Sequence, residues 1–580
     1  MSPNVGGAST RMQLGADPIR IPRGSERRVP DANIAKSLRA MAKDRPDDVC
    51  VMEPVGKEPS GAVRYATWTF AELDREVDRL CHALATTGLE RGMRTVLMVP
   101  PSRSFYALSF ALFRLGAVPV LVDPGMGVKS LRACLDRAAP TAFIGVPKAH
   151  LARVLLGWAR PSVKIRVTVG KKGPWRGPTL AAIRHRAPMH VRYDGPETRA
   201  DETAAILFTS GSTGTPKGAV YHHAIFLEQV AQLARLYAIE PGEIDLPTFP
   251  LFGLFDVALG MTAVIPEMDF TRPGQADPEK LITAMTRFSV TNLFASPALL
   301  KNLARFGEKN SRRLPHLRRV LSAGAPVPAE EIARLAALLD EGVEVHTPYG
   351  ATESLPVSTI GSGEIIGETA KKTRAGGGVC VGRPVEGVDV RVIAVHDEPI
   401  ETLRDDLSLP TGEIGEICVR GPIVSRSYFD HPEGTALAKV ADPTDSPERL
   451  WHRMGDLGRF DEQGRLWFQG RKAHRVWTAK GPLDTIAVEG VFNAHPQVAR
   501  TALVGLGKRG SQIPLLCVEL EAGVTVDEKT LFSELRTLGR AVAHTKGIEF
   551  FRLHPSFPVD IRHNAKIFRE KLTIWAGSTR

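Results

Sequence analysis

The sequence predicts an α/β fold built mainly from parallel sheets, followed by a β-rich subdomain and a small α+β domain. Strand and helix patterns alternate through the first three quarters of the 580 residues. Repeated strand–helix–strand units of this kind favour parallel sheets. After Gly376, short strands separated by Gly, Pro and acidic turns indicate the β-rich subdomain. Beyond Gly470, strand and helix patterns return over about 110 residues, a usual size for a small domain.

The spacing of apolar residues identifies the individual elements. Leu73, Val77, Leu80 and Leu84 recur at helical spacing and predict an amphipathic helix over 69–87. The same criterion predicts further helices at 31–44, 104–115 and 526–538. Short apolar runs predict strands at 62–69, 95–99, 118–122, 204–208, 290–295, 319–322, 343–346, 388–395, 415–420, 466–470, 498–505 and 515–520.

Composition places the chain among ordinary globular proteins. Hydrophobic residues make up 43% and charged residues 24%, and the length predicts two to four structural units. The net charge of +11, taken over the whole chain, predicts a solvated basic surface. Attraction to polyphosphate, an acidic partner or a membrane surface is the alternative. Nucleic-acid binding is not expected, because no dense Lys/Arg block with interleaved aromatics is present.

Cysteine usage and the N-terminus predict a cytoplasmic protein without a transmembrane segment. Residues 1–30 mix Gly, Pro, Ser and Arg, lack the apolar core of a signal peptide, and predict a flexible tail. No uncharged apolar stretch reaches the length of about 18 residues expected of a spanning helix. Six scattered cysteines without a CxxC pair exclude a disulfide framework or zinc site and predict reduced core residues: Cys50, Cys81, Cys134, Cys380, Cys418 and Cys517.

A loop rich in glycine and hydroxyl side chains follows the strand predicted at 204–208. Glycine lets backbone N–H groups approach an anion, hydroxyls donate to phosphate oxygens, and Lys217 supplies a positive charge. The loop is not a Walker A sequence, because Pro216 precedes Lys217. It predicts a polyphosphate cradle formed by Thr209, Ser210, Gly211, Ser212, Thr213, Gly214 and Lys217.

This loop closely resembles the signature loop of the adenylate-forming superfamily, which includes acyl-CoA synthetases, peptide-synthetase adenylation domains and luciferases. The resemblance extends over residues 34–572. It implies that ATP activates a carboxylic acid as an acyl-adenylate. It also implies a core domain over 31–469, with the β-rich subdomain at 376–469, and a mobile C-terminal lid domain over 470–580.

Two further segments resemble nucleotide-binding motifs of that superfamily. The segment from His346 to Glu353 resembles the YGxTE motif, which implies that Tyr349 and Gly350 meet adenine, Thr352 contacts phosphate and Glu353 binds Mg²⁺, a hard cation that prefers carboxylates. The alternative is an ordinary helix N-terminus capped by Thr352. The segment from Ser322 resembles the adenine-side motif or, alternatively, an ordinary strand-to-helix turn, and its small residues are Gly324, Ala325 and Pro326.

Three charged residues complete the resemblance. Asp456, in a GDL-like segment, is implied to accept hydrogen bonds from both ribose hydroxyls, which suits a carboxylate with two acceptor oxygens. Arg471 is implied to touch ribose or phosphate at the start of the interdomain hinge. Lys566 is implied to bridge the substrate carboxylate and the α-phosphate, whose charges it offsets. A turn aspartate, a surface ion pair and a solvated lysine are the respective alternatives.

The hinge and terminal motifs depart from the pattern of thioester-forming members. That pattern reads GRxDxxIKxxG, but Ala473 occupies the aspartate position here and Gly481 comes one residue late. The segment from Pro250 to Phe255 lacks the histidine that many members carry. Because the glycine loop usually helps to form the pantetheine tunnel, these departures weaken the expectation of coenzyme A use.

The same departures resemble the β-lactone synthetases of bacterial long-chain olefin biosynthesis. The segments that carry this resemblance are 122–127, 470–476 and 560–571. It implies a 2-alkyl-3-hydroxy fatty acid substrate, whose adenylated carboxyl group is attacked by its own 3-hydroxyl to close a β-lactone. His222 and His223 are candidates for the base that removes the hydroxyl proton. Residues that could line the acyl chain, or else form a core helix, are Phe249, Leu251, Phe252, Leu254, Phe255 and Met261.

Two other functions remain open at this point. One is a long-chain fatty acyl-CoA synthetase or acyl-AMP ligase, and the other is a non-catalytic homologue. Intact Lys217, Glu353, Asp456 and Lys566 count against the non-catalytic protein. The olefin-pathway resemblance further implies neighbouring enzymes, a reductase that supplies the hydroxy acid and a decarboxylase that consumes the lactone, with physical association as a possibility.

Overall fold

The computed structural model describes residues 32–122, 124–209, 216–442, 450–560 and 566–578. Within these ranges the sequence of elements alternates between strands and helices up to residue 375 and is dominated by strands from 376 to 471. A second alternation of strands and helices follows to the end of the described chain. This order confirms the α/β fold class predicted from the sequence.

The strands are β1 (Val49–Lys57), β2 (Val63–Thr69), β3 (Arg94–Met98), β4 (Val118–Val122), β5 (Ala142–Gly145), β6 (Ile165–Thr168), β7 (Thr203–Thr209), β8 (Lys217–His222), β9 (Ile244–Pro247), β10 (Thr262–Val264), β11 (Asn292–Phe294), β12 (Arg319–Leu321), β13 (Glu344–His346), β14 (Tyr349–Ala351), β15 (Ser354–Thr359), β16 (Val379–Pro384), β17 (Asp389–Ile393), β18 (Gly415–Arg420), β19 (Lys439–Ala441), β20 (Leu450–Phe460), β21 (Leu466–Arg471), β22 (Val476–Thr478), β23 (Gly481–Leu483), β24 (Val498–Leu506), β25 (Ile513–Leu520) and β26 (Phe550–Leu553). The helices are α1 (Ala35–Asp44), α2 (Phe70–Ala85), α3 (Arg103–Leu115), α4 (Val128–Ala138), α5 (Pro147–Leu156), α6 (Leu180–Arg186), α7 (His223–Tyr237), α8 (Gly253–Leu259), α9 (Pro278–Arg287), α10 (Pro297–Lys309), α11 (Ala329–Ala336), α12 (Ser362–Glu364), α13 (Ala370–Arg374), α14 (Pro432–Ala438), α15 (Thr485–Phe492), α16 (Glu528–Arg540) and α17 (Arg569–Ser578).

Two mainly parallel sheets form the centre of the molecule. The first has the strand order β6-β5-β3-β4-β7-β8, in which only β8 runs antiparallel to its neighbour among the described strands. The second has the order β13-β12-β11-β9-β10-β1-β2, with β2 antiparallel at its edge. Helix α3 touches β4 of the first sheet and β1 of the second, and every residue from Phe105 to Leu115 is buried. The two sheets therefore share one apolar core around α3.

The β-rich part and the C-terminal part form separate sheets. Strands β14 to β18, β20 and β21 build a mostly antiparallel sheet in the order β14-β15-β16-β21-β20-β18-β17, with β19 beside β20. After β21, a short hairpin of β22 and β23 precedes the sheet β24-β25-β26, which packs against α15, α16 and α17. This last group has a core of its own around Phe492, Leu503, Leu516 and Leu535.

Local sequence signals explain where the main helices begin. Helix α2 starts at a capping box in which the Thr69 hydroxyl accepts from Glu72 N and the Glu72 carboxylate accepts from Thr69 N. Such reciprocal caps satisfy two backbone donors that a helix start otherwise leaves unpaired. Ser102 caps α3 in a similar way, and Gly116 ends it in the left-handed conformation at a φ of 72°.

The expectation of reduced, buried cysteines agrees with the described structure. All six cysteines are buried and free of disulfide bonds. Among the described helices, we find none whose length and apolar character would allow it to cross a membrane.

Candidate active site

The site lies where several parallel strands end. Strands β9, β11, β12 and β13 are neighbours in the second sheet and run parallel. The residues that follow β9, β12 and β13, namely Thr248, Ser322 and Thr347, all line one cavity of about 2850 Å³. Open α/β sheets commonly bind ligands at the carboxyl ends of their strands. A typical ligand pocket measures about 300–1,000 Å³, so this cavity has room for a nucleotide and a second large substrate.

The predicted phosphate loop connects β7 and β8. Thr209 and Lys217 are paired across these antiparallel strands. Ser210, Gly211, Ser212, Thr213 and Gly214 lie outside the described residues. Lys217 lines the cavity, and burial lowers the pKa of its ammonium group while the nearby Glu353 carboxylate opposes that shift. The end of the loop at Lys217 therefore lies at the cavity.

A buried carboxylate joins the GDL-like and YGxTE-like segments. Asp456 lies in β20, opposite Arg471 of β21, and its Oδ1 is 3.0 Å from Arg471 Nε. Tyr349 of β14 donates its hydroxyl to Asp456 Oδ2 over 2.8 Å. Burial raises the pKa of Asp456, and the positive charges of Arg471 and Lys566 act against that rise. Because a carboxylate has about four acceptor positions, Asp456 retains capacity for a vicinal diol.

A second carboxylate faces the phosphate-loop lysine. Glu353 Oε1 accepts the Tyr428 hydroxyl over 2.6 Å, and the Glu353 carbonyl accepts from Ser425 N over 2.8 Å. Lys217 Nζ lies 5.0 Å from the centre of the Tyr428 ring. Tyr428 itself is fixed beside β8 by an antiparallel bridge to Ala219. The arrangement places a hard anionic ligand next to a cation at the end of the phosphate loop.

The surroundings of Thr352 and Glu353 exclude one interpretation of this segment. Both residues lie in the tight connection between β14 and β15, where Ala351 pairs with Ser354. They are therefore not at a helix N-terminus. The Thr352 carbonyl accepts the Tyr221 hydroxyl over 2.6 Å, and both Thr352 and Glu353 line the cavity.

Tyr428 and Lys439 were not identified from the sequence. Tyr428 donates a hydrogen bond to Glu353, and the charge of Lys439 interacts with the Glu353 carboxylate. The Lys439 ammonium donates to the carbonyl of Ser425 and lies 5.8 Å from the Tyr428 ring centre. Burial lowers the pKa of Lys439 to about 7, although the Glu353 charge opposes the shift. The ammonium groups of Lys217 and Lys439 thus both lie near the Tyr428 ring centre, at 5.0 Å and 5.8 Å. No sequence motif marks this cluster, because its members come together only through pairing of residues 427–429 with β8.

The small residues predicted on the adenine side also line the cavity. Gly324, Ala325 and Pro326 follow β12, and Gly324 has a φ of 101°. A side chain is strained in that left-handed region, so glycine is required there. Gly350 is equally restricted, because an added Cβ would lie 2.5 Å from the Ser354 carbonyl oxygen. Both glycines keep backbone close to the cavity, as a flat base requires.

Lys566 reaches the same cavity from the C-terminal part. It closes a hairpin in which Asp560 N donates to the Lys566 carbonyl over 2.9 Å and Phe568 N donates to the Pro558 carbonyl over 2.8 Å. Its charge is felt by the Asp456 carboxylate, which lies in the β-rich sheet. Ion pairs hold the C-terminal part in this position, including Arg305 with Glu521 at 3.0 Å.

The segment predicted to form the hinge begins at Gly470 and Arg471. Gly470 has a φ of 127°, and a Cβ there would lie 2.5 Å from Thr485 Oγ1. Ala473 lies in a single 3-10 turn and lines the cavity. The preceding lysine is held elsewhere, since Lys472 Nζ donates to the His396 carbonyl over 2.8 Å. The position where the resemblance implies a hinge aspartate therefore carries the methyl group of Ala473.

Apolar side chains line the other end of the cavity. Of the candidates for the acyl chain, Met261 does not line this cavity and is instead buried in the core, at 2% exposure. Phe252 stacks on Phe294 at a ring separation of 3.7 Å. The sequence missed further lining residues from α3 and α7, namely Phe105, Phe110, Phe113, Phe226, Val230 and Leu233. The candidates that do line the cavity are Phe249, Leu251, Phe252, Leu254 and Phe255.

The two histidines considered as bases lie elsewhere. His223 is buried, its Nδ1 accepts from Ile34 N over 3.2 Å, and its ring packs edge-on against Phe113. Neither His222 nor His223 belongs to the lining of the cavity. The proposal that they act as bases is therefore not supported, because neither ring is positioned to meet a substrate.

A buried pair of carboxyl groups lies beneath the apolar wall. Asp256 of α8 and Asp245 of β9 share a hydrogen bond, and burial raises the pKa of both, that of Asp245 to about 7. An aspartate in the unfolded chain loses its proton above its ordinary pKa of 3.8, whereas the folded protein keeps these protons to a higher pH. The free energy of unfolding therefore falls as the pH rises towards 7 and beyond.

We expect Asp256→Asn to weaken this pH dependence, because an amide donates to Asp245 at every pH. Relative to the wild type, the variant should gain about 2 kcal/mol in free energy of unfolding between pH 5 and pH 8. Urea unfolding at a series of pH values measures the difference. Parallel curves for the two proteins would show that the pair does not share a proton.

Comparison with known proteins agrees with this geometry. A family model described as AMP-binding enzyme matches residues 38–429. The chain is 51% identical over 554 residues to a protein of Xanthomonas campestris pv. campestris named olefin beta-lactone synthetase, covering 94% of this chain and 98% of that one. A protein of Stenotrophomonas maltophilia with the same name is 50% identical over the same shares.

Solved structures share the fold. An amide bond synthetase, McbA from Marinactinospora thermotolerans, superposes with a TM-score of 0.74 at 24% identity, covering 93% of this chain and 99% of that one. ATP-bound MatB from Rhodopseudomonas palustris gives 0.73 at 21% identity, covering 94% and 99%. At these identities the likeness shows the fold alone. The family match over most of the chain and the half-identical relatives together show that this chain belongs to the AMP-binding enzyme family, among the relatives named olefin beta-lactone synthetase.

Proposed function

We propose that this protein is an ATP-dependent β-lactone synthetase that acts on long-chain 2-alkyl-3-hydroxy fatty acids in olefin biosynthesis. The observation that carries the proposal is the identity of 50–51% over nearly the full length of two proteins with that name. The cavity supports it, because it combines a charged end around Asp456 and Glu353 with an apolar end around Phe252.

The residues present fit ATP as a substrate. Asp456 would accept from the ribose hydroxyls beside Tyr349 and Arg471, and the backbone at Gly324 would lie against adenine. Lys217 and the loop before it would meet the phosphates. The donors at this end are cationic or backbone groups and its acceptors are carboxylates, which matches a polyphosphate attached to a diol.

The carboxylate of Glu353 would hold Mg²⁺ together with phosphate oxygens. Among the described residues no group of three or more His, Cys, Asp or Glu side chains forms a metal cage. That suits Mg²⁺, which commonly takes one or two carboxylates and keeps substrate phosphates and water as its other ligands. Bound there, the ion would neutralise phosphate charge, while Tyr428 holds Glu353 in place.

In the first step, a carboxylate oxygen of the fatty acid attacks the α-phosphorus of ATP, and pyrophosphate leaves. Two anions must approach each other, so the positive charge of Lys566 lowers the barrier more than it favours the separated reactants. Thr352, beside Glu353, would donate to the phosphate. The product is an acyl-adenylate whose acyl carbon is open to attack.

In the second step, the 3-hydroxyl oxygen attacks the acyl carbon of the same molecule. The bond from that carbon to the AMP oxygen breaks, AMP leaves, and the hydroxyl proton is released to solvent as the four-membered ring closes. An aligned intramolecular nucleophile can have an effective molarity of about 10⁵ M or more. Because no second substrate has to enter, the reaction does not need the pantetheine tunnel, and Ala473 at the predicted hinge is compatible with it.

The domain limits, location and partners form part of the proposal. A core over 31–469 and a lid over 470–580 would move relative to each other between the two steps, whereas the tail predicted at 1–30 lies outside the described residues. A cytoplasmic location is supported by six free, buried cysteines. A reductase that supplies the hydroxy acid and a decarboxylase that removes the lactone would act next to this enzyme in the pathway.

Product analysis with and without coenzyme A tests the proposal. The protein is incubated with ATP, Mg²⁺ and a 2-alkyl-3-hydroxy acid, and products are identified by mass spectrometry. We expect β-lactone and AMP in the absence of coenzyme A, and no thioester in its presence. A thioester that appears only with coenzyme A would instead identify an acyl-CoA synthetase, the activity named for relatives at 26–28% identity.

A further inference from the structure

The positive charge of the chain is concentrated in one segment. Residues 137–193 contain twelve Lys and Arg residues and no Asp or Glu, whereas the whole chain has a net charge of +11. The net charge of the whole chain suggested a basic surface without a particular location, but the excess of positive charge is local. It belongs to the part of the first sheet that contains α5 and the edge strand β6.

Helix α5 exposes apolar side chains within this segment. Leu151, Val154 and Leu155 are 49%, 53% and 74% exposed, and Leu156 is 36% exposed. The opposite face of α5 is buried through His150 and Arg153. Soluble proteins tolerate single exposed aliphatic residues, but a contiguous group on one helix face marks an interaction site.

Basic residues flank this apolar face at both ends of the helix. Arg160 is exposed just after the C-terminus of α5, and Lys148 is exposed in its first turn. Exposed Lys171 and Lys172 follow Gly170, whose added Cβ would lie 3.7 Å from Pro147 at the start of the helix. In the described part of the chain, none of these four cations forms an ion pair with a carboxylate closer than 4.0 Å.

An aromatic stack fixes these elements to each other. The Trp175 ring lies parallel to the His150 ring at 5.2 Å, and Trp175 Nε1 donates to Thr168 Oγ1 over 2.8 Å. His150 Nε2 lies 3.0 Å from the carbonyl oxygen of Val167 in β6. The turn that carries Lys171 and Lys172 is thereby held against α5. We name the surface formed by Leu151, Val154, Leu155, Leu156, Lys148, Arg160, Lys171 and Lys172 the α5 patch.

The α5 patch adjoins the substrate cavity. Lys148, Ala149 and Ala152 of α5 line the cavity, and Lys148 belongs to the patch as well, so the patch and the cavity are neighbours on this helix. Trp158, just after the helix, also lines the cavity. A surface that binds at the patch would lie beside the wall of the site.

We propose that the α5 patch docks the protein on an anionic lipid bilayer surface. The aliphatic side chains of the patch suit the acyl boundary of such a surface, and the Lys and Arg residues around them suit its phosphate headgroups. Nucleic acid would leave the aliphatic face unused, and a protein partner would have to present acidic groups around an apolar centre. Under the proposed function, the substrate is itself a lipid, which docking would bring beside the cavity.

Sedimentation with lipid vesicles tests the proposal on the full-length protein. We expect binding to phosphatidylcholine vesicles that contain phosphatidylglycerol, and much weaker binding to phosphatidylcholine alone. Lys171→Gln with Lys172→Gln should weaken binding about 30-fold, and Leu155→Ser about tenfold. Added salt should weaken binding by the wild type, because the attraction is largely electrostatic.

Matched changes elsewhere on the surface provide the controls. Ile574 is 72% exposed on α17, so Ile574→Ser removes a similar apolar area outside the patch. Exposed Lys529 and Lys546, changed together to Gln, alter the net charge by the same amount as the lysine pair of the patch. These controls should bind vesicles nearly as the wild type does.

Several results would overturn the proposal. They are equal binding to neutral and anionic vesicles, equal losses in the patch and control variants, or no vesicle binding by the wild type, which would leave the patch to a protein partner. Lactone formation from a detergent-dispersed substrate is assayed on the same samples. Its absence would count against the proposed function alone, because vesicle binding is measured without turnover.

Discussion

Replacing Lys566 with alanine should lower the rate of pyrophosphate release by about 10²- to 10³-fold while leaving ATP affinity almost unchanged. Lys566 faces the cavity from the C-terminal hairpin, and its charge acts on Asp456. That charge matters most when carboxylate and α-phosphate approach each other, which happens in the transition state and not in the ATP complex.

Pyrophosphate release measured with saturating ATP and hydroxy acid gives the rate, and calorimetric titration with ATP gives the affinity. Lys529→Ala, an exposed lysine of the same C-terminal part, is the matched control and should behave as the wild type. An unchanged rate in Lys566→Ala would remove this lysine from the mechanism. A parallel loss of ATP affinity would assign it to nucleotide binding instead.

Replacing Asp456 with asparagine should have its largest effect on nucleotide affinity. The carboxylate accepts from Tyr349 at 2.8 Å and lies 3.0 Å from Arg471, so the amide removes the counter-charge of Arg471. It also replaces one acceptor by a donor where two ribose hydroxyls are expected. The loss of hydrogen bonds to a charged group predicts about 10²-fold weaker binding of ATP and AMP.

Titration of the folded variant with AMP checks this expectation without any turnover. Asp389→Asn serves as a control, because its carboxylate pairs with Arg420 over 2.7 Å on an exposed edge of the same sheet. Wild-type affinity in Asp456→Asn would place the ribose elsewhere in the cavity. A thermal unfolding curve separates a local loss of affinity from a loss of fold.

Most of the secondary structure followed from local patterns. The helix predicted over 69–87 is Phe70–Ala85, and the strand predicted over 118–122 is Val118–Val122. Ends were less certain where a turn competes with a strand. The strand predicted over 290–295 is limited to Asn292–Phe294, because Val290 N bonds to the Met285 carbonyl and closes the preceding helix instead.

The sequence motifs predicted the main residues of the candidate site, but not the residues that hold them in place. Tyr349, Asp456 and Lys566 are far apart in sequence, and they are brought to one cavity by the β-rich sheet, which holds the first two, and by the C-terminal hairpin, which holds the third. Tyr428 and Lys439 could not be found from the sequence, because their contacts with Glu353 depend on pairing between distant strands. The sequence alone also allowed Thr352 to cap a helix. The β14–β15 hairpin excludes that helix start.

Membrane affinity of the α5 patch also lies beyond what totals can indicate. A net charge of +11 averaged over 580 residues suggests an ordinary basic surface. The distribution of Lys and Arg along the chain, combined with the exposed apolar face of α5, locates the positive charge on one part of the surface. Composition alone carries no such information, because it discards position.

The path of oxygen atoms tests the proposed chemistry most directly. A 2-alkyl-3-hydroxy acid labelled with oxygen-18 in its carboxylate is converted with ATP, and AMP and lactone are examined by mass spectrometry. Activation of the carboxylate followed by attack of the 3-hydroxyl predicts one labelled oxygen in AMP and one in the lactone carbonyl. AMP without label, with both labelled oxygens in the lactone, would show that the hydroxyl was activated instead and would contradict the account.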